Sequence, residues 1–530
     1  MATVAEGILR LLEEAGVSHV FGVPGVHNLE LYRALAGSRL VHVLPRHEQA
    51  AGFMADGFHR ASGRLAACLV ITGPGATNIA TALATARADS VPVLLLATAL
   101  TRRQQGFDAG HLHELPGQSQ LLAQLGGPAL MPLAPDAVLP ALWRALAACR
   151  TGRLRPAAVE IPRDLLAEPA PPFTPPALPG PAAPGEAEVA QLAALVESAE
   201  APVAVFGGGA VHAAEHARAF IARTGIPALT TVAGKGIVAE SSPLSLGATL
   251  ALEPVRAWLS ARDLVLVVGS ELGETDLWRD ALPLRGRIVR VDVDPARLGD
   301  PRHPCALAIQ ADAARLLEAL CARIAAKPRP AGEVVELRRR VLEAVACEPW
   351  HRQAIAVLQR SLASRALLFT DMTRLAYAMN VLYAVEAPRR YFHPSGFGPL
   401  GWALPAALGG ALACPGTPVV AVVGDYGLQY ALAELGTLVE LALPVAVVVV
   451  DDGGLGQIRE SMRGKGMTPV ATALQNPDFR ALAASFGLPA AEPASLEEFG
   501  DRLASWLERP GPLLLWLREE VLAREAVRHG

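Results

Sequence analysis

The sequence predicts an α/β fold of three doubly wound parallel-sheet domains, and three observations carry that prediction. First, the strand-like runs "RLAACLVIT" (64–72), "VPVLLLAT" (91–98) and "PVVAVVGD" (418–425) are apolar nearly throughout. Strands without polar alternation belong to parallel sheets covered on both faces. Second, segments of helical length separate these runs, as the crossovers of a parallel sheet require. Third, a chain of 530 residues is too long for one hydrophobic core, and two proline-bearing joints divide it.

The elements follow in order. "MATVAEGILRLLEEAG" reads as an amphipathic helix carrying acids, unlike a secretory signal. The strand at 64–72 leads through a glycine turn into a helix over 73–89, and the rhythm closes near "AAVEIPRDLL" (157–166), giving a first domain over 1–166. Residues 167–187, rich in proline and alanine, read as an extended, semi-rigid linker. "APVAVFGGGAV" (201–211), "ARDLVLVVGSEL" (261–272) and "GRIVRVDVDP" (286–295) mark a central Rossmann-like domain over 188–328. Its "FGGGAV" runs into His212 and so lacks the G-x-G-x-x-G dinucleotide fingerprint. After the joint "AKPRPAGE" (326–333), the βα rhythm resumes in a third domain over 345–525, similar in style to the first.

Composition narrows the function classes. A net charge of −4 without a basic tract predicts neither a nucleic-acid nor a membrane partner. The longest apolar runs, such as "VAVVVV", are strand-length and too short to span a bilayer. Cys68, Cys149, Cys305, Cys321, Cys347 and Cys414 are scattered without C-x-x-C spacing, the usage of a reducing compartment. A soluble cytoplasmic protein is expected.

In an open parallel sheet, ligands bind outside the carboxyl ends of the strands. Asp425 ends one apolar run and Asp452 the next, with a helical segment (428–442) between them. Their separation of 27 residues suits a strand end, a crossover helix and the next strand. Two carboxylates at neighbouring strand ends form a hard-oxygen site suited to Mg²⁺, with positions left for phosphate oxygens. Glycines at 424, 427, 453, 454 and 456 let the backbone approach the same point. Either aspartate alone also reads as a helix N-cap. The pair at crossover spacing favours the metal.

Gly424-Asp425-Tyr426-Gly427, followed at that interval by Asp451-Asp452-Gly453-Gly454, resembles the thiamine diphosphate-binding motif. The family includes acetohydroxyacid synthase, pyruvate oxidase and benzoylformate decarboxylase. The resemblance implies that Asp425, the Asp452 side chain and the Gly454 carbonyl hold Mg²⁺, which in turn holds the diphosphate. Gly424, Tyr426, Gly427 and Gly456 would border the cofactor. Tyr426 stands where the family usually has glycine, and Asp451-Asp452 where Asn-Asn is commoner. Tyr426 is therefore expected to have ordinary backbone angles, with its ring turned from the phosphates.

"FGVPG" (21–25), "RHEQAAGFMADGFHRASG" (46–63) and "TGPGATN" (72–78) resemble the family's pyrimidine-binding domain. That places Pro24 and Gly25 at the cofactor and gives Glu48 the role of contacting N1′ of the aminopyrimidine. Taken alone, Glu48 also reads as an acid favoured by the dipole of a first helical turn. "SGFGPLGWALPAALGGALA" (395–413) resembles the segment that supports the bent cofactor, with Gly398 beside it and Leu400 as the apolar wedge between its rings. The third domain is then the diphosphate-binding one. The middle domain resembles the family's central domain, which in some relatives binds FAD or ADP. Because the family binds its cofactor between the first domain of one subunit and the third of another, the resemblance implies at least a homodimer, and usually a tetramer.

The cofactor implies a 2-oxo acid as substrate and decarboxylation as the first step. His111 and His113 in "GHLHELPGQ" (110–118), and His27 after "GVPG", are candidates to relay protons. Each also reads as a solvated loop histidine. Ile458 stands where yeast-type pyruvate decarboxylases carry glutamate, and the acetohydroxyacid synthase aromatic of this region is absent. "FGVPGVHNLELYRALAGS", "LHELPGQ" and "GDYGLQY…ELG" most resemble 5-guanidino-2-oxopentanoate (2-ketoarginine) decarboxylases of arginine catabolism. A guanidinium substrate needs a carboxylate, and Asp108, Glu114 and Glu460 are candidates, each also readable as a plain surface acid. An acetolactate synthase-like carboligase and a non-catalytic cofactor-binding protein are the alternatives.

Overall fold

Apolar β-branched runs pair as inner strands, and the helices between them cover both faces. In the computed structural model, which describes residues 2–362 and 365–528, they build three six-stranded sheets. The first contains β1 (His19–Gly22), β2 (Val41–Val43), β3 (Ala67–Val70), β4 (Leu94–Ala99), β5 (Ala129–Leu130) and β6 (Ala157–Pro162). The second contains β7 (Pro202–Phe206), β8 (Ala228–Thr230), β9 (Ser245–Gly247), β10 (Leu264–Val268), β11 (Arg287–Asp292) and β12 (Leu307–Gln310). The third contains β13 (Leu367–Thr370), β14 (Tyr391–Phe392), β15 (Val419–Gly424), β16 (Val445–Asp451), β17 (Ala490–Ala491) and β18 (Leu513–Arg518). Every pairing between these strands is parallel.

The first sheet runs β2-β1-β3-β4-β6-β5 and the third β14-β13-β15-β16-β18-β17. These are the same order, so the likeness of the two regions is one of topology. The middle sheet, β12-β11-β10-β7-β8-β9, differs. Residues 171–185 carry no regular secondary structure, and the helix Glu186–Ser198 follows. The helix Gly332–Glu343 packs Val334, Leu337 and Val341 into a core of the middle sheet.

Local details depart from the pattern read in the sequence. The segment 73–89 forms two helices, Pro74–Asn78 and Ala80–Ala88. The expected helix 428–442 is also broken, into Asp425–Tyr430 and Glu434–Glu440. Just beyond the second break, buried Glu434 accepts from the Arg46 N–H at 2.8 Å, tying the third domain to the first.

The first and third sheets share one core, to which Phe53, Phe58, Phe369 and Trp402 contribute. There the helix Glu48–Ser62 crosses the helix Ala403–Ala413 at near-backbone contact. A Cβ on Gly57 would lie 2.0 Å from the Ala406 carbonyl oxygen, and one on Gly409 would lie 1.9 Å from that of Met54. A buried network closes the crossing. Trp402 Nε1 donates to Asp56 Oδ1 at 3.1 Å, and Arg60 bridges Asp56 and Asp89 at 2.6 and 2.7 Å. Among the described residues no helix is long and apolar enough to cross a membrane.

Candidate functional site

The site begins where β15 and β16 end side by side, with Gly424 opposite Val450. Buried valines fix both strands, so the next residues emerge together at the carboxyl edge. Asp425 is 2 % exposed and is the first residue of the helix Asp425–Tyr430, whose cap residue is Gly424. Asp452 lies in the turn before the helix Gly456–Gly464, which is capped at Leu455. Neither aspartate occupies an N-cap position.

Their carboxylates are crowded and differently satisfied. Asn476 Nδ2 donates to Asp425 Oδ2 at 2.6 Å and to Asp451 Oδ1 at 2.8 Å. Asp451 also accepts from Gly453 N–H and from Trp516 Nε1, at 3.0 and 2.9 Å. Asp452 Oδ1 is buried with no hydrogen-bond partner. Burial, then Asp451 and Asp452, pushes the Asp425 carboxyl up to about 7. Burial, then Glu519, pushes Asp452 up as well. Carboxylates that resist ionisation together are stabilised by a shared cation. An orphaned, buried carboxylate oxygen beside a second carboxylate fits Mg²⁺. Gly454 has φ of +133°, and a Cβ there would sit 2.3 Å from the Thr472 carbonyl oxygen, so only glycine carries the chain through this turn.

Tyr426 takes right-handed helical backbone as the second residue of its helix. Its ring packs edge-on against Tyr430, with centroids 5.4 Å apart. Leu400 is carried by a loop between Gly398 and Gly401, whose φ values are +64° and +78°. Buried Asp371, at the end of β13, pins that loop: its Oδ2 accepts from Gly401 N–H at 2.8 Å. The same oxygen lies 3.0 Å from where a Cβ on Gly427 would be, so one carboxylate braces both walls. Burial pushes Asp371 up to about 6.

These walls enclose a cleft of about 520 Å³, to which Gly398, Leu400, Gly424, Asp425, Tyr426, Gly427, Asp452, Gly454 and Gly456 all contribute. The middle unit adds Asp276 and Trp278. Pro24, Gly25, His27, Glu48, His111 and His113 do not line it.

Those six residues belong to the first sheet's carboxyl edge. Glu48 opens the helix Glu48–Ser62, and its Oε2 accepts from Asn78 Nδ2 at 2.9 Å. Gly25 N–H donates to Asn28 Oδ1 at 2.8 Å, which closes the turn after Pro24. His27 is buried with neither ring nitrogen hydrogen-bonded, and its ring meets that of His113 edge-on at 5.1 Å. Burial, then Arg163 and His113, holds the His27 imidazolium down to about 4. His111 is used in a local turn, with its N–H donating to Glu114 Oε2 at 2.9 Å. Of the candidate guanidinium acids, Glu460 lines a cavity beside the cleft, whereas Asp108 and Glu114 line neither space.

Asn476, Asp371, Trp278 and His351 were not singled out by the sequence pattern. Asp371 had a visible signal, since it ends the apolar run "ALLFTD" as Asp425 ends its own. The other three lie in segments without periodicity.

Comparison with known proteins shows the family of the chain. The thiamine pyrophosphate enzyme family matches in three parts: its N-terminal TPP binding domain over residues 2–121, its central domain over 189–320 and its C-terminal TPP binding domain over 371–516. The "Probable 2-ketoarginine decarboxylase AruI" of Pseudomonas aeruginosa is 39% identical, covering 97% of this chain and 94% of that protein. The acetolactate synthase isozyme 1 large subunit of Escherichia coli is 31% identical, covering 97% and 94%. An X-ray structure of "a putative thiamin diphosphate-dependent enzyme" from Mycobacterium smegmatis superposes with a TM-score of 0.85, at 23% identity over 98% of this chain and 99% of that one. With its three sheets matched in order and full-length relatives on either side, the chain belongs to the thiamine pyrophosphate enzyme family.

Proposed function

We propose that the protein is a thiamine diphosphate- and Mg²⁺-dependent decarboxylase that converts a 2-oxo acid, 5-guanidino-2-oxopentanoate or a similar cationic acid, to an aldehyde and CO₂. The observation that carries the metal and cofactor reading is the pair Asp425 and Asp452, at adjacent strand ends, with Asp452 Oδ1 buried and unpartnered. The substrate class draws on the name of the Pseudomonas aeruginosa relative.

Asp425, Asp452 and the Gly454 carbonyl would hold Mg²⁺, and the N-terminal turn of the helix Gly456–Gly464 would receive the diphosphate. When bound, thiamine diphosphate supplies a nucleophilic carbon and an electron sink for loss of CO₂. Leu400, on its braced loop, would hold the cofactor bent. Glu48 would hold and move a proton at Oε1, its other oxygen being tied to Asn78. His27, kept neutral by burial with both ring nitrogens free and with His113 edge-on beside it, would offer one N–H and one lone pair to hydrogen-bond a group in the site.

Glu48 and its neighbours do not line the cleft of their own chain, which supports a homodimer in which a second copy's N-terminal edge closes it. Exposed apolar side chains flank both halves: Val26, Leu29 and Leu44 beside one, Phe397 and Tyr430 beside the other. The six cysteines are free, in keeping with a cytoplasmic enzyme.

The test is steady-state CO₂ release from 5-guanidino-2-oxopentanoate by protein loaded with both cofactors. Turnover is expected to need Mg²⁺ and thiamine diphosphate, and Glu48→Gln is expected to lower kcat by at least about 100-fold, the scale of one proton-transfer group. Full activity in that variant would remove Glu48 from the mechanism. A carboligase is the second reading, because the Escherichia coli relative and others of about the same identity are acetolactate synthases. Acetolactate from pyruvate would favour it.

A further inference from the structure

Beside the cofactor cleft lies a second cavity of about 890 Å³, and the two share Trp278, His351, Arg374, Tyr377 and Gln457 in their walls. Its charge is unbalanced. Arg374, 11 % exposed, is held by Glu348 at 2.9 Å, Glu460 at 2.5 Å and Glu519 at 3.0 Å. Glu348 and Glu460 line this cavity and Glu519 the cleft, so Arg374 leaves one carboxylate of the cavity pair uncompensated. The Glu348 and Glu460 side chains are each 44 % exposed. A fourth acid on the rim, Glu253, is paired with Arg256.

Two further observations point to a ligand here. His351 is 2 % exposed, yet its imidazole lines both spaces and makes no hydrogen bond among the described residues. Burial, then Arg374, keeps it neutral, so a ring nitrogen retains its lone pair for an N–H donor. Trp278 stands 70 % exposed at the junction of the two cavities, with its face open. A buried acceptor, an open indole and excess carboxylate match a planar cation: guanidinium stacks on aromatic faces and donates in a fork to carboxylates.

Resting on the decarboxylase reading above, we propose that this cavity is the specificity subsite for the cationic end of the substrate. Glu348 and Glu460 bind its guanidinium, Trp278 covers it and His351 accepts one of its N–H groups. The 2-oxo end then lies in the adjoining cleft, which Leu400 lines.

The test uses the full-length protein with thiamine diphosphate and Mg²⁺, and compares kcat/KM for 5-guanidino-2-oxopentanoate with that for 2-oxooctanoate, whose side chain is uncharged. In the double variant Glu348→Gln/Glu460→Gln, the cationic-to-neutral ratio is expected to fall at least about tenfold, the scale of hydrogen bonds to a charged group. General damage to the site would lower both substrates together and leave the ratio unmoved. Trp278→Ala is expected to lower the ratio about two- to fivefold. In a readout free of turnover, 4-guanidinobutyrate should perturb the indole fluorescence of the wild type, and that response should be lost in Trp278→Ala. Should the double variant misfold by circular dichroism, Glu348→Gln alone and the fluorescence titration decide the matter. A wild type that prefers the cation while the variants keep its ratio would overturn the subsite and leave the decarboxylase reading intact. A wild type that turns over 2-oxooctanoate but no cationic 2-oxo acid would overturn the cationic substrate class itself.

Discussion

Gly456→Ala separates the metal site from the fold. Gly456 is the first residue of the helix Gly456–Gly464, and a Cβ there would lie 2.0 Å from Asp452 Oδ2 and 3.1 Å from the Arg374 Cδ. Ordinary contact begins near 3.5 Å, so the carboxylate must retreat by more than about 1 Å. Its side chain can rotate to do so, and alanine is a better helix former than glycine by about 1 kcal/mol. Thermal stability should therefore hold or rise slightly. Mg²⁺ would meanwhile lose a correctly placed carboxylate. Disturbing the orientation of a ligand weakens metal affinity by about 10–100-fold, or about 1.4–2.8 kcal/mol. Calorimetric titration of thiamine diphosphate over a series of MgCl₂ concentrations reads this directly. An unshifted Mg²⁺ dependence in a folded Gly456→Ala protein would refute Asp452 as a ligand.

Three other perturbations probe the same geometry. Tyr426→Gly, which restores the commoner family residue, should cost up to about 1 kcal/mol in the thermal melt and leave Mg²⁺ affinity unimproved, because Tyr426 already has helical backbone angles. Asp371→Ala removes the acceptor of the Gly401 N–H, so it should weaken thiamine diphosphate binding by calorimetry while leaving the metal carboxylates in place. Acid should destabilise the fold through His393, whose imidazolium is held down to about 4 by burial. An unfolded histidine takes up its proton near 6.5 and the folded one does not. The His393 contribution to stability is therefore complete above about pH 6.5 and is lost toward pH 4, by about 2 kcal/mol at pH 5. Asp371 and Asp425, whose carboxyls are pushed up, gain stability over the same range. Denaturant melts from pH 7 to 5 are therefore compared between the wild type and His393→Gln: the wild type should lose more than the variant, and parallel profiles would contradict it.

The legible parts of the molecule are those that local pattern determines. Apolar runs such as Val445–Val450 can only be inner strands, and their order along the chain set the three-sheet fold. Asp425 and Asp452 were visible because a carboxylate ending such a run is anomalous, and the crossover length says that two of them are neighbours. The helix break after Tyr430 was not visible, and the Arg46 N–H that Glu434 accepts just beyond it lies 388 residues away along the chain. The same holds for Asn476, in a loop without periodicity but bonded to Asp425 across 51 residues. Trp278 and His351 could be placed beside Glu460 only after the second and third units had packed together. Glu114 read in sequence as a candidate for the guanidinium or a plain surface acid, and it accepts the His111 N–H of a local turn.

The most direct measurement is the product spectrum of the protein loaded with thiamine diphosphate and Mg²⁺, followed by NMR with ¹³C-labelled 5-guanidino-2-oxopentanoate and, separately, pyruvate. The predicted result is CO₂ and 4-guanidinobutanal in equal amounts from the first, with no acetolactate from the second. Acetolactate as the main product, or no turnover of the cationic acid, would contradict it.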